Sequence, residues 1–218
     1  EPNVRATEVE IYEGLEASSQ NCWPSVEFDI GGINNFLSPF FPAGFYYKTF
    51  MWPASFWEKY EFFIRHSAGL GKSPTSSDPD IYDHRNIHCD VLVVGAGISG
   101  ILAAKNAAKN NFKTLLVDEK NELGGSTIYE NNKFNKIDNK TPSEWLKKEI
   151  EELKNIKNLE IKTRTSVAAY HQYNYLLARE NLTDHLEAKD KTNKIRQRLL
   201  KIRAKQVILA TGALERPL

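Results

Sequence analysis

Three glycines at Gly95, Gly97 and Gly100 give the run Gly95-Ala96-Gly97-Ile98-Ser99-Gly100 the spacing G-x-G-x-x-G. The chemistry suited to that spacing is the holding of a pyrophosphate. Gly95 permits a tight turn, Gly97 lets backbone approach the phosphates, and Gly100 lets a helix pack closely on a strand. A helix that begins at the turn aims the N–H groups of Ile98, Ser99 and Gly100, and the positive end of its dipole, at the anion. By itself the spacing is a weak signal; its neighbours decide.

Four neighbouring features agree with a dinucleotide. Cys89 to Val94 is a short apolar, β-branched run that reads as a buried parallel strand leading into Gly95. Asp118 follows the next strand, 23 residues after Gly95. A carboxylate there accepts hydrogen bonds from ribose hydroxyls and repels a 2′-phosphate, which favours NAD or FAD over NADP. Glu119, beside it, shares that role. Gly124-Gly125 then offers bare backbone again, with the hydroxyl of Ser126 as a donor. Val207-Ile208-Leu209-Ala210-Thr211-Gly212 reads as a buried strand ending in a glycine turn near the cofactor, so Thr211 and Gly212 join the candidates. Val167, read as the end of a middle strand, is a candidate to present backbone to adenine. The acid serves NAD and FAD alike, so both remain open.

The elements that position these residues alternate. Ser99 to Asn110 reads as a helix and Lys113 to Val117 as a strand, completing a βαβ unit. Asn131 to Lys140 reads as a loop. Thr141-Pro142-Ser143-Glu144 opens a second helix with a capping box and proline at its first position. Leu146, Ile150 and Leu153 recur at helical spacing. Leu159 to Tyr170, Tyr173 to Arg179 and Gln206 to Ala210 are expected strands, and Lys191 to Lys205 a solvated strand or helix face. The expected fold is α/β, a truncated Rossmann-like FAD/NAD(P)-binding domain over residues 87–218. Residues 1–86 form an aromatic-rich irregular connecting arm, with a short helix from Ala54 to His66 and a linker from Gly71 to Pro79.

Bulk properties narrow the classes. A formal charge of +1 over 218 residues gives no reason to expect nucleic acid or an acidic membrane as partner. The most apolar stretch, Phe36 to Ile64, is broken by Pro39, Pro42, Lys48, Pro53, Glu58 and Lys59. A membrane span needs about 20 predominantly apolar residues. Cys22 and Cys89 lie far apart, which suggests a reducing compartment, the cytoplasm. The five histidines, His66, His84, His88, His171 and His185, show no metal-ligand spacing. Gly124-Gly125 is followed by Ser126-Thr127 and not by a redox cysteine, which disfavours a disulfide reductase. The start at Glu1-Pro2-Asn3 without Met and the stop after a strand suggest an internal piece of a longer chain.

The arm carries a resemblance. Tyr12-Glu13-Gly14-Leu15 and Ser19-Gln20-Asn21-Cys22-Trp23-Pro24-Ser25 resemble the stretch before the dinucleotide domain in α subunits of heterotetrameric sarcosine oxidases. Leu37-Ser38-Pro39-Phe40, the run Pro42 to Pro53, Phe56-Trp57-Glu58-Lys59 and Ala68-Gly69-Leu70-Gly71 extend the resemblance over nearly the whole chain. It implies an oxidoreductase acting on CH–NH donors with oxygen as acceptor. In such enzymes sarcosine is oxidised at FAD on the β subunit, and electrons pass through covalent FMN to oxygen. The products are glycine, peroxide and a one-carbon unit that tetrahydrofolate takes up in a domain absent here. The resemblance further implies β, γ and δ partner subunits, NAD in the α-chain groove, and no catalytic residue in this chain. The Lys- and Asn-rich stretches Asn131 to Lys140 and Asp184 to Lys205 depart from the family pattern.

Two rival readings accompany it. One is the α subunit of a related FAD-dependent amine, opine or proline dehydrogenase. The other is a structural subunit whose dinucleotide holds the fold and does not turn over. The aromatics between Phe36 and Phe63, more than half of the chain's Phe, Trp and Tyr, are expected to pack against missing domains or partner subunits.

Overall fold

The computed structural model describes residues 9–19, 22–40, 44, 50, 52–68, 76–130 and 135–213. Most of the aromatic run 41–49, most of the linker 71–79, and residues 131–134 of the polar loop lie outside the described residues. The chain divides into two compact units, 1–79 and 80–218.

Local rules shape the first unit. The Asp29 carboxylate accepts hydrogen bonds from the Gly31 N–H at 2.9 Å and the Trp23 N–H at 3.1 Å. It thereby caps the 3₁₀ turn Ile30–Gly32, which runs into the short helix α1 (Ile33–Leu37). The second helix, α2 (Trp57–Ser67), matches the helix expected from Ala54 to His66, whose first residues form the 3₁₀ turn Ala54–Phe56. Its Arg65 donates to Glu61 one turn earlier at 2.7 Å. Phe36, Phe40, Trp52 and Phe63 are exposed.

The second unit is a six-stranded sheet in the order β3-β2-β1-β6-β5-β4. The strands are β1 (Ile81–Val94), β2 (Thr114–Val117), β3 (Leu159–Lys162), β4 (Thr165–His171), β5 (Tyr175–Asn181) and β6 (Ile195–Leu209). β3, β2, β1 and β6 run parallel, while β5 and β4 join β6 as an antiparallel meander. β1 and β6 pair along nearly their whole lengths and form a spine. The later half of that spine carries β2, through Val91 to Val94. On the other side of the spine, Gln197 to Arg203 of β6 carry β5.

Each face has its own core. On one, Val91, Val93 and Leu116 pack with α3 (Ile98–Lys109) and α4 (Pro142–Lys154), through Ile101, Ala104, Trp145, Leu146 and Leu153. On the other, Leu92, Val94, Leu115 and Val117 pack against Leu176, Ala178, Leu200, Ile202 and Ala204 of the meander. Val91 to Val94 and Thr114 to Val117 are buried on both faces, as parallel strands are, which explains their unbroken apolar character. Between the helices, Lys105 of α3 bonds to Glu149 and Glu152 of α4, so the buried Glu149 carboxylate is paired.

Four expectations change. β1 begins at Ile81, so residues 81–86, read as part of the arm, lie in the sheet. The expected strand Leu159 to Tyr170 is two strands, broken where Arg164 adopts φ 50°. Lys191 to Lys205 is not simply solvated: Arg198, Leu200, Ile202 and Ala204 are buried along one face of β6. The strand end expected to be buried is open, with Leu209 60% exposed and Ile208 37% exposed. β5 stops pairing at Arg203, so among the described residues no strand flanks the outer side of Gln206 to Leu209.

Candidate functional site

The parallel strands end together, and the sequence candidates other than Val167 meet there. Gly95 follows β1 directly and has φ +96°; a Cβ on it would sit 2.3 Å from the Ala210 carbonyl oxygen. The Gly95 N–H donates to Val117 O at 2.8 Å, and the Ala210 N–H donates to Val94 O at 2.7 Å. The glycine turn is thus wedged between the ends of β2 and β6. A Cβ at Gly100 would fall 1.8 Å from the Gly95 carbonyl oxygen, so no side chain fits there. That contact sets α3 hard against the turn.

Gly97 differs. Its φ is −70°, which any residue adopts, and a Cβ there would meet nothing within 4 Å. It caps α3 with no side-chain hydrogen bond to the first turn. A helix cannot satisfy its own first N–H groups. Here those of Ile98, Ser99 and Gly100 open onto bare glycine surface, and Ser99 is exposed.

The second glycine pair closes the other side. The Gly124 N–H donates to Ala96 O at 2.8 Å. A Cβ on Gly125, at φ +55°, would come within 3.1 Å of the Gly97 Cα. A Cβ on Gly124, at φ +129°, would strike Leu146 at 2.5 Å. Gly125 also starts the 3₁₀ turn Gly125–Tyr129, on which Ser126 is exposed. Thr211 and Gly212 leave β6 beside Gly95 and are exposed, with Gly212 at φ +73°.

Asp118 stands at the end of β2. Its Oδ2 accepts from the Ala96 N–H at 2.6 Å, and its Oδ1 accepts from the Lys120 N–H at 2.8 Å. The carboxylate is therefore held in one orientation beside the glycine turn. Each carboxylate oxygen has a second lone pair, which leaves acceptor capacity for a ribose hydroxyl. Glu119 is 63% exposed and lies 3.8 Å from Lys120.

The turn that backs this acid is not legible in the sequence. The Thr165 N–H donates to Asp118 O at 2.7 Å, and the Arg164 N–H donates to Lys120 O at 2.8 Å. The start of β4 is thereby tied to the end of β2. Val167 comes two residues later, partly buried against the meander core. It lies near the start of the edge strand β4 and not at the end of a middle strand. Nothing in the sequence marks this turn, because Leu159 to Tyr170 reads as continuous β pattern.

The groove fits a dinucleotide in three respects: open space over Gly97, uncapped helix donors, and an oriented carboxylate. Burial pushes the Cys89 thiol up to about 11, so it is protonated near neutral pH and a poor nucleophile. No group of three His, Cys, Asp or Glu side chains is disposed to hold a metal ion among the described residues. No helix among them is long and apolar enough to cross a membrane.

The chain is similar in sequence and fold to known proteins. The sarcosine oxidase subunit alpha of Rhizobium meliloti (strain 1021) is 46% identical over 100% of this chain and 22% of its own length. That of Corynebacterium sp. (strain U-96) is 39% identical over 69% of this chain and 15% of its own length. The chain thus spans less than a quarter of these relatives. Among solved structures, L-proline dehydrogenase from P.horikoshii superposes with a TM-score of 0.50 and 23% identity, over 68% of this chain and 26% of that one, a likeness of fold. Residues 90–206, over half of the chain, match the family described as FAD dependent oxidoreductase, and the chain belongs to that family.

Proposed function

We propose that this chain is the dinucleotide-binding part of the α subunit of a sarcosine oxidase complex. The observation that carries the reading is the 46% identity to such a subunit over the full chain, arm included. A glycine turn alone would fit many oxidoreductases.

In this reading Gly95 to Gly100, Gly124-Gly125, Ser126, Thr211 and Gly212 line the dinucleotide groove. The N–H groups of Ile98, Ser99 and Gly100 face the pyrophosphate, and Asp118, with Glu119 beside it, meets the ribose. Val167 offers backbone at the adenine end. NAD is the ligand proposed, and when bound it supplies two-electron hydride chemistry. The chain's own residues bind and orient it. They perform no oxidation of sarcosine, which is assigned to FAD and FMN elsewhere in a complex with β, γ and δ subunits. That complex would convert sarcosine, oxygen and water to glycine, hydrogen peroxide and formaldehyde, or pass the one-carbon unit to tetrahydrofolate. Its proposed location is the cytoplasm.

A second reading places FAD in this groove, as in an amine, opine or proline dehydrogenase. The description of the matched family as FAD dependent favours it. The test is to purify the full-length protein with its co-expressed subunits, assay sarcosine-dependent peroxide, and identify the dinucleotide released from each separated chain. Peroxide with NAD in this chain supports the first reading. FAD in this chain, without oxygen consumption, supports the second. A retained dinucleotide that sarcosine, NADH and dithionite all fail to reduce assigns it a structural role.

A further inference from the structure

At the end of the sheet away from the glycine turn, the β4–β5 hairpin closes through Gln172–Asn174. Tyr173 sits there with φ 59° and ψ 35°, and Asn174 with φ 51°. Left-handed backbone suits asparagine or glycine; for an aromatic residue it is unfavourable. Tyr173 is nevertheless 85% exposed and Tyr170 is 50% exposed, so the strained conformation recovers no burial. Two hydrogen bonds and a cation–ring contact join the tip to its surroundings. Asn174 accepts the Tyr170 hydroxyl at 2.6 Å and donates its amide to the Lys205 carbonyl at 2.9 Å. Arg203 lies 5.0 Å above the Tyr175 ring.

Beside the tip lies a recess of about 300 Å³, floored by Cys89 and bordered by His88, Asp90, Lys113, Arg203 and Lys205. A second recess of about 190 Å³ shares Cys89 and Lys113 and adds Lys157 and Glu160, so the two form a trough. Four cations face two carboxylates along it. Asp90 is already engaged, by Lys205 Nζ at 2.8 Å and by the Lys113 N–H at 2.8 Å. An open trough with a cationic excess is complementary in charge to an acidic ligand, and the displayed tyrosines and stacked arginine beside it are the side chains that anchor protein interfaces.

We propose that the hairpin tip and this trough form a docking surface for an extended, acidic segment of a partner subunit. The trough accepts its carboxylates and Tyr173 packs on its backbone. The proposal requires a partner and to that extent rests on the multi-subunit reading above.

The test uses the full-length protein in its complex, with benzoylphenylalanine replacing Tyr173 for photo-cross-linking. The expected product is a cross-link to one partner subunit, mapped to a segment rich in Asp and Glu. No cross-link, one within this chain, or one to a segment lacking acidic residues overturns the proposal. Tyr173→Gly separates docking from mere turn formation. It relieves the backbone, so the melting temperature of the chain rises, while partner affinity falls at least tenfold. A Tyr173→Gly chain that binds its partner with wild-type affinity also overturns the proposal. Arg203→Glu with Lys205→Glu weakens the association and flattens its salt dependence; unchanged salt dependence counts against it. Dinucleotide content, read on the same samples, stays at the wild-type level. Its absence from the wild type would instead sink the cofactor reading.

Discussion

Two helices of the same layer begin in opposite ways. α4 satisfies its own start: the Thr141 hydroxyl accepts the Glu144 N–H at 3.3 Å, the Glu144 carboxylate accepts the Thr141 N–H at 3.0 Å, and Pro142 takes a position that needs no donor. α3 starts from Gly97 with no side-chain cap, and its first turn faces glycines. One helix only has to pack, so the sequence closes its end. The other has no side-chain cap, and in the function proposed above its end is left for a ligand whose pyrophosphate would be the missing cap. Substitutions at the two starts should therefore behave oppositely, one moving stability without binding and the other moving binding without stability.

The largest effect is expected where the α3 start is also structural. Gly100→Val places atoms where Gly95 backbone already stands, 1.8 Å from a Cβ. It should cost about 3 kcal/mol, as severe overpacking does, and be visible as a lower urea midpoint with loss of bound dinucleotide. Gly97→Asp is the sharper probe. Its Cβ meets nothing and its φ is ordinary, so the fold should keep its stability within about 0.5 kcal/mol, with aspartate a good helix cap. Its carboxylate would occupy the anion site, so calorimetric titration should show affinity for the dinucleotide down by about 100-fold or more. Asp118→Ala follows, with affinity down by about tenfold, the worth of a hydrogen bond to a charged group. The unfolding midpoint also falls, because the Ala96 and Lys120 N–H groups lose their acceptor.

Thr141→Ala gives the smallest effect and the opposite pattern. It should lower stability by about 1 kcal/mol and leave dinucleotide affinity unchanged. Its pH dependence follows from Glu144, whose carboxyl is held below its ordinary 4.5 by the Thr141 N–H and then by the Thr141 hydroxyl. A depressed carboxyl contributes stability above its unfolded value, and that contribution is lost as pH falls through the folded value. The stability gap between wild type and Thr141→Ala should therefore narrow in chemical denaturation below about pH 4. A gap that widens in acid would contradict the capping box.

Local geometry is legible in the sequence and long-range pairing is not. The glycine turn after an apolar strand, the acid after the next strand and the α4 cap are short-range signals, and the structure places all three at element ends. The early half of β1 is hidden because Asp83, His84, Arg85 and Asn86 are polar, with no apolar run to mark a strand, and read as part of the arm. Their partners lie on β6: Arg198 donates to Asp83 at 2.7 Å across 115 residues, and Arg196 bonds to Asp80 across 116. No local pattern reveals such pairs. The apolar end of β6 reads as core, yet among the described residues it is an edge, since sequence alone does not say where β5 stops pairing. The Arg164 turn escaped because its φ of 50° falls on a residue type that does not announce left-handed backbone. The aromatic arm gave the opposite balance: its motifs point to a family, while its periodicity says little about its structure.

The most direct test is to purify full-length wild type and Gly97→Asp in parallel, denature both, and quantify the dinucleotide released per chain. The account predicts a near-stoichiometric dinucleotide from wild type and none from Gly97→Asp, with both proteins melting at similar temperatures. Equal retention by the two, or none by either, would contradict the claim that a pyrophosphate caps α3.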